Sequence, residues 1–143
     1  RYFSSAASDV YKRQVLSQKG KNYPLSFNRK EVKDHGEGGN IIGPNPEGNV
    51  MIVDDVLSAG TAVRESIELI KNIDANPKIF VVGLNRQEKG SGNLSASDEL
   101  QNDFGITVKS IVDLNTLISF SETNADYEQF LDDLKNYREK WGA

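Results

Sequence analysis

Two adjacent carboxylates followed by a short hydroxyl-bearing turn form the part of the sequence best suited to chemistry. Asp54 and Asp55 end an apolar run, and the turn Ser58-Ala59-Gly60-Thr61 follows two residues later. Adjacent carboxylates can accept hydrogen bonds from the vicinal hydroxyls of a sugar. A glycine lets the backbone approach a ligand closely, and the N–H groups at the start of a helix favour a phosphate. The segment therefore predicts a site for a ribose phosphate.

Simpler or competing interpretations explain this segment less well. A helix N-cap beside two solvated aspartates would need only one Ser or Asp, so capping accounts for only part of the pattern. A Walker loop would need a Gly-Lys-Ser/Thr triplet, which the sequence lacks. The glycines that begin at Gly36 do not form a dinucleotide-binding loop, because Ile41 stands at the position of its last glycine.

A second group of chemically useful residues lies in the glycine-rich stretch 29–49, which has no apolar period. Its cationic or titratable members are Arg29, Lys30, Lys33 and His35. A loop of this length in a compact domain is usually either functional or disordered. It could close over an anionic leaving group and stabilise developing charge, or it could be a solvated charged loop. Composition alone leaves both interpretations open.

The elements that must position these residues alternate between strands and helices. Apolar runs predict strands at 23–28, 49–56, 78–84 and 107–112. Val63, Ile67 and Ile70 fall on one face of a predicted helix, and Ser97 is predicted to cap a helix that ends at Phe104. This alternation predicts an α/β fold with a parallel sheet flanked by helices. Ligands bind beyond the carboxyl ends of the strands in such sheets.

The end of the chain predicts the most regular helix of the sequence. Apolar and aromatic residues recur there at helical spacing, with Glu and Lys between them. We expect this stripe to pack in the core rather than to form an aromatic binding surface. The residues of the stripe are Tyr127, Phe130, Leu131, Leu134, Tyr137 and Trp141.

Composition excludes several classes of function. The 143 residues suffice for one domain, and the net charge of −4 argues against a nucleic-acid binder. The absence of cysteine excludes disulfides and thiolate sites and is consistent with the cytoplasm, while a single histidine, His35, excludes a multi-histidine metal cage. The longest apolar run, 79–84, is far too short to span a membrane.

The first fourteen residues, RYFSSAASDVYKRQ, differ from the rest of the chain. They contain neither the apolar core of a signal peptide nor a clear helical or strand period. We therefore expect residues 1–14 to be a leader of non-native origin, disordered or artefactual, and residues 15–143 to form the folded part.

The segment VMIVDDVLSAGTAVRE resembles the phosphoribosyl-diphosphate signature of the type I phosphoribosyltransferases. In that family the two acidic residues contact the ribose hydroxyls and the loop after them binds the 5-phosphate. The resemblance implies a type I phosphoribosyltransferase-like sheet that is incomplete at the N-terminus. It assigns substrate binding to Asp54, Asp55, Val56, Leu57, Ser58, Ala59, Gly60, Thr61 and Ala62.

Two further segments are similar to orotate phosphoribosyltransferases in particular. RKEVKDHGEGG resembles their catalytic loop, which implies that Arg29, Lys30, Lys33 and His35 contact the diphosphate and that Lys33 matters most for catalysis. LNRQEKGSG places Arg86 where the family has an arginine that contacts the orotate ring, although Asn85 replaces a common aspartate. The similarity runs from about Val15 to the C-terminus.

The resemblance implies an enzyme that transfers the phosphoribosyl group of 5-phosphoribosyl 1-diphosphate to orotate. Lys33, Asp54 and Asp55 would be its catalytic residues, and Mg²⁺ would bind mainly through the substrate diphosphate. The family further implies a homodimer with the catalytic loop shared across subunits. An inactive fragment, or a non-catalytic module that binds phosphoribosyl diphosphate, is the alternative, because the family's N-terminal region is not found in the sequence.

Overall fold

The two apolar runs of the sequence around Asp54 and before Arg86 form the longest described strands. The structure, a computed structural model, describes residues 2–4, 9–28 and 41–143, with side chains from residue 13 onward. Its strands are β1 (Tyr2–Ser4), β2 (Leu25–Asn28), β3 (Ile41–Ile42), β4 (Asn49–Leu57), β5 (Asn76–Asn85) and β6 (Thr107–Asp113). Its α-helices are α1 (Asp9–Gln18), α2 (Thr61–Lys71), α3 (Ala96–Phe104), α4 (Leu114–Thr123) and α5 (Leu131–Trp141), with a 3-10 helix at Ala125–Phe130.

The chain divides into two structural units. The first comprises Arg1–Asp54 and Thr61–Phe80, and the second comprises Asp55–Gly60 and Val81–Ala143. Strands β4 and β5 each contribute residues to both units. This alternation of strands and helices confirms the predicted α/β class, with a parallel sheet flanked by helices.

In the first unit the hydrogen-bonded strands follow the order β3-β2-β1-β4-β5. β1 pairs in parallel with β2 and with β4, and Phe3 has Ser26 and Ile52 as its Cα partners. The apolar core of this unit includes Ile52 and Phe80, which are 2% and 1% exposed. Val63, Ile67 and Ile70 of α2 are also buried, which confirms the helical face that the sequence predicts.

The stretch predicted to lack regular structure contains strand β3. Phe27 pairs with Ile42 and Asn28 with Ile41, so β2 and β3 form an antiparallel ribbon. Gly43 follows with φ of 98°, and a Cβ at that position would lie 2.5 Å from the carbonyl oxygen of Leu25. Only glycine fits this turn. Strand β3 was not predicted because its two isoleucines are too few to produce a strand period in the sequence.

Residues 2–4 and 9–14 of the predicted leader lie in regular structure. The backbone of Tyr2–Ser4 forms β1, and α1 begins at Asp9 and extends past residue 14. Backbone hydrogen bonds between parallel strands do not depend on side-chain type, so a segment without a sequence period can still complete a sheet. The division of the chain at residue 14 stays a prediction.

The second unit has the strand order β4-β5-β6 and carries helices α3 to α5. Its buried apolar residues include Leu57, Val82, Leu100, Ile106 and Ile118, all at most 3% exposed. Helix α4 was not predicted from the sequence. Asp113 caps it by accepting a hydrogen bond at 2.8 Å from the backbone N–H of Thr116.

Helix α3 begins one residue after Ser95, which corrects the predicted cap at Ser97. The Ser95 hydroxyl accepts from the backbone N–H of Asp98 at 3.2 Å. Ser97 lies inside the first turn, where its hydroxyl is within hydrogen-bond distance of the Ser95 hydroxyl at 2.9 Å. Both serines precede acidic residues at suitable spacing, so the sequence did not distinguish them.

The prediction of a core-packing helix at the end of the chain is wrong in two respects. A 3-10 helix covers Ala125–Phe130, and α5 begins only at Leu131. Neither element contains a buried residue, and Phe130 and Trp141 are both 49% exposed. Helical spacing identifies residues on one face, but it does not show whether another element covers that face.

Candidate active site

The carboxyl end of β4 carries the two adjacent aspartates. Asp54 is partly exposed and Asp55 is exposed, whereas Val53 before them and Leu57 after them are buried. The carboxylate of Asp55 accepts a hydrogen bond from the backbone N–H of Val56 at 2.8 Å. Buried residues on both sides thus fix the strand in the core, while the side chain of Asp55 is exposed.

A bend of Ser58–Gly60 connects β4 to helix α2, which begins at Thr61. Gly60 has φ of 86°, a conformation that residues with a Cβ rarely adopt. Ser58 and Thr61 make no side-chain hydrogen bond to any residue that the structure describes, so their hydroxyls can donate to a ligand. This strand–bend–helix geometry is the one that the sequence predicts for a phosphate-binding loop.

Gly83 on β5 is a site-supporting residue that the sequence analysis did not identify. A Cβ at Gly83 would lie 2.8 Å from the backbone oxygen of Asp55. A side chain there would therefore push the backbone of Asp55 away from β5. A lone glycine inside an apolar strand is the signal that could have revealed this close approach.

Arg86 follows β5 and lies beside the end of β4. Its backbone N–H donates to the carbonyl oxygen of Leu57 at 2.9 Å. Asn85 before it is 9% exposed, and its side-chain oxygen accepts from the backbone N–H of Gln87 at 2.9 Å. Gln87 has φ of 54°, so the backbone turns sharply directly after Arg86. The structure thus brings the predicted base-contacting arginine to the strand end from which the predicted phosphate loop starts.

The side chain of Arg86 contacts Glu88 and Tyr137, neither of which the sequence analysis assigned to the site. Nη1 of Arg86 lies 3.5 Å from Oε1 of Glu88 and 3.5 Å from the hydroxyl of Tyr137. The Tyr137 hydroxyl in turn donates a hydrogen bond to Oε1 of Glu88. The hydrogen bond to Tyr137, together with the charge of Glu88, raises the pKa of Arg86 above its ordinary value.

Burial is the main reason why the pKa of Tyr137 lies above its ordinary value, and its hydrogen bond to Glu88 acts in the same direction. The phenol is therefore neutral at physiological pH. A neutral phenol can accept from the guanidinium of Arg86 and donate to the carboxylate of Glu88 at the same time.

The segment after Glu88 is held by a buried carboxylate from helix α3. Glu99 is 7% exposed, and its two oxygens accept from the backbone N–H groups of Ser91 at 2.8 Å and Gly92 at 2.6 Å. The Ser91 hydroxyl adds a third hydrogen bond at 2.9 Å. A Cβ at Gly90 would meet the Glu99 carboxylate, so a larger residue there would displace this carboxylate.

The predicted catalytic loop lies outside the described residues. This applies to Arg29, Lys30, Lys33 and His35, whose assignments stay predictions. The described residues on either side, Asn28 and Ile41, are Cα partners in the β2–β3 ribbon.

A cavity of about 280 Å³ lies in the second unit, away from the predicted ligand contacts. Gln87, Asp98 and Arg138 are among its lining residues, but Arg86 and the bend after β4 are not. Pocket size alone therefore does not locate the site. Within residues 2–4, 9–28 and 41–143, no cluster of three or more acidic or histidine side chains is arranged to hold a metal ion. No helix in the same ranges is long and apolar enough to cross a membrane.

The fold and the strand–bend–helix element place the chain among proteins with the phosphoribosyltransferase fold. A crystal structure of the orotate phosphoribosyltransferase of Francisella tularensis matches 99% of the chain with a TM-score of 0.77 and 29% identity, and the match covers 70% of that protein. The enzyme of Aeropyrum pernix matches 86% of the chain with a TM-score of 0.64 and 26% identity, over 65% of its length. A UMP synthase of Leishmania donovani, at 22% identity and a TM-score of 0.72, shares the fold.

Sequence comparison finds relatives named orotate phosphoribosyltransferase, to which the chain is similar. It is 48% identical over 129 residues to the enzyme of Actinobacillus succinogenes, covering 90% of this chain and 60% of the relative. It is 46% identical over the same length to that of Neisseria meningitidis serogroup B, covering 61% of the relative. The chain thus spans about 60% of the length of the relatives it matches. No family model matches it.

Proposed function

We propose that the protein transfers the phosphoribosyl group of 5-phosphoribosyl 1-diphosphate to N1 of orotate, giving orotidine 5′-phosphate and diphosphate. The observation that carries the proposal is the β4–bend–α2 element, with Asp54 and Asp55 at its strand end and Gly60 at positive φ before the helix. The sequence relatives named orotate phosphoribosyltransferase support orotate as the acceptor base.

The residues of this element divide between the sugar and its phosphate. Asp54 and Asp55 hold the ribose hydroxyls. Their negative charge stabilises the positive charge that develops at the anomeric carbon. The 5-phosphate binds to the backbone N–H groups and hydroxyls of the segment from Ser58 to Ala62, at the positive end of the α2 dipole. Val56 and Leu57 anchor the strand end beneath this loop.

The catalytic loop acts on the leaving group. Lys33, together with Arg29, Lys30 and His35, stabilises the departing diphosphate. The β2–β3 pairing at Asn28 and Ile41 supports this role, because it fixes both ends of the loop at neighbouring points. In a homodimer the loop serves the partner subunit's site, and the reaction takes place in the cytoplasm.

Mg²⁺ is the proposed cofactor. Among the described residues no cluster of three or more acidic or histidine side chains is arranged to hold a metal ion, so Mg²⁺ would bind mainly through oxygens of the diphosphate and the ribose. When bound, the ion neutralises charge on the diphosphate as that group leaves.

The proposal is tested by following the ultraviolet absorbance of orotate in the presence of the chain, phosphoribosyl diphosphate and Mg²⁺. We expect absorbance to decline with the wild type and the rate to fall by about 10²–10³ in Lys33→Ala, the effect of removing one well-placed donor to a developing anion. Asp54→Ala should also lose turnover. Lys109→Ala, an exposed lysine on β6, is the matched control and should keep the full rate. Turnover that persists in both site variants would refute the assignment, and ligand binding without turnover would indicate a non-catalytic binding module.

A further inference from the structure

The backbone of Arg86 is fixed, but burial does not fix its side chain. The N–H of Arg86 donates to Leu57, yet 44% of the side chain is exposed. An arginine side chain has several rotatable bonds, and ordering it costs on the order of 2 kcal/mol of conformational entropy. A guanidinium that contacts a planar base therefore needs partners that select one orientation.

Glu88 and Tyr137 provide such partners from two different parts of the second unit. Glu88 is two residues after Arg86, and Tyr137 lies on α5. Both contacts fall on Nη1 of the guanidinium. No other side-chain hydrogen bond or ion pair joins Arg86 to a residue in the described part of the chain. The opposite edge of the guanidinium therefore keeps its N–H donors for a ligand.

Both partners are themselves held by backbone contacts. Glu88 forms a β-bridge with Gly142, and its carbonyl oxygen accepts from the N–H of Ala96 at 2.9 Å. The neighbouring Lys89 donates to Trp141 at 2.9 Å, close to the end of the helix that carries Tyr137. The side chain of Glu88 is only 15% exposed. The contacts to Arg86 thus start from positions that the fold already fixes.

We propose that Glu88 and Tyr137 are positioning residues that orient Arg86 toward the acceptor base. This inference rests on the proposed function and on the resemblance that assigns Arg86 to the orotate ring. The Tyr137 hydroxyl contributes to this orientation, because it donates a hydrogen bond to the Glu88 oxygen that faces the guanidinium. Without the hydroxyl, both oxygens of Glu88 can pair with the guanidinium in a bidentate contact and occupy N–H donors that an anionic base requires.

The test compares Tyr137→Phe with Tyr127→Phe in the full chain. Tyr127 is 45% exposed and its ring lies 5.1 Å from that of Phe120, a contact that phenylalanine preserves. We expect Tyr137→Phe to raise the KM for orotate about three- to tenfold, the size of one ordinary hydrogen bond. The KM for phosphoribosyl diphosphate should stay unchanged, and Tyr127→Phe should change neither value. A purely structural role for Tyr137 would instead alter both KM values and the melting temperature together.

Two variants at Glu88 test the second partner. Glu88→Gln keeps an acceptor oxygen for Tyr137 and Arg86, whereas Glu88→Ala removes it. We expect the orotate KM to rise more in Glu88→Ala than in Glu88→Gln. Equal effects on both substrates in both variants would contradict positioning of the base contact.

A readout without turnover separates this inference from the proposed function. The Nε–H group of Arg86, identified in an NMR spectrum by its loss in Arg86→Lys, should be ordered in the wild type and mobile in Tyr137→Phe and Glu88→Ala. If the wild type shows no turnover, the proposed function fails. In that case the NMR signal still tests the inference: an Nε–H group that stays ordered in Tyr137→Phe overturns it as well. If the wild type is active and Tyr137→Phe keeps its orotate KM, the inference alone is overturned.

Discussion

Single residues without a side chain set the geometry around Asp55. Gly60 turns the chain at positive φ directly before α2, and Gly83 allows β5 to approach the backbone of Asp55. In both places a Cβ would affect the backbone rather than a neighbouring side chain. Backbone N–H groups and strand-end carboxylates are the proposed ligand contacts, so such shifts should appear directly in binding.

Gly60→Ala should therefore affect both stability and ligand binding. Forcing alanine into a left-handed conformation costs about 1–2 kcal/mol of the free energy of unfolding. Displacing the phosphate-binding N–H groups should also weaken the binding of phosphoribosyl diphosphate by about tenfold, the equivalent of one charge-assisted hydrogen bond. Denaturant unfolding and calorimetric titration measure the two effects.

Gly48→Ala is the matched control for this experiment. Gly48 has φ of 61°, and a Cβ there would meet nothing within 4 Å. The control should show a similar loss of stability with unchanged affinity. Equal loss of affinity in both variants would mean that Gly60 acts through global stability and not through the phosphate loop.

Helix α3 holds the segment that follows Arg86, through a single side chain. The carboxylate of Glu99 accepts two backbone N–H groups and one hydroxyl of the Ser91–Gly92 turn. Since Glu99 is in the first turn of α3, its charge also interacts favourably with the helix dipole. The order of the turn thus depends on a helix that begins several residues later.

Glu99→Ala should lower the free energy of unfolding by about 1–3 kcal/mol, because it leaves buried hydrogen-bonding groups without their acceptor. Hydrogen exchange should show faster exchange at Ser91 and Gly92. The control is Glu139→Ala on α5, an exposed glutamate whose loss should stay within about 0.5 kcal/mol. If the two variants unfold at the same denaturant concentration, Glu99 does not support the turn.

The elements of the chain differ in how well the sequence predicted them. The strands around Asp54 and before Arg86, and the apolar face of α2, were predicted because their periods are long and regular. The two-residue strand β3 and the cap of α3 were not, since neither leaves an unambiguous pattern. Helix α4 was missed, although Asp113 stands at its start as a capping signal.

Considered as a whole, the molecule exposes several large apolar side chains. Ile111 on β6 is 82% exposed, and Phe120, Phe130 and Trp141 are each 49% exposed. β6 is also the edge strand of the sheet that the described residues form. Exposed apolar groups of this size and a free strand edge both favour association between chains.

We expect the chain to self-associate at micromolar concentration, and Ile111→Lys to reduce the association. Thr107→Lys is the matched control, because it adds the same charge to the same strand without removing an apolar side chain. Sedimentation velocity at several concentrations measures the effect. A wild type that sediments as a single monomer would contradict the prediction. An equal reduction of association in both variants would mean that the added charge, and not the loss of the apolar side chain, reduces the association.

The sequence alone determined the α/β class and the two long strands β4 and β5, and it located Asp54–Asp55, the Ser58–Thr61 turn and Arg86 as the residues to examine. These features are local, because a strand period, a glycine in a turn and a charged residue after a strand can each be read from neighbouring positions. The assignments of Lys33 and its neighbours come from resemblance and stay predictions.

Only the tertiary structure showed that Arg86 lies beside the end of β4 and that Glu88 and Tyr137 hold its side chain. It likewise showed that Tyr127, Phe130 and Trp141 at the end of the chain are exposed rather than buried. Tyr137 stands 51 positions after Arg86, and no periodicity links two residues so far apart. Such contacts depend on how helices and strands pack together, and a pattern along the chain carries no information about the partner that a given face will meet.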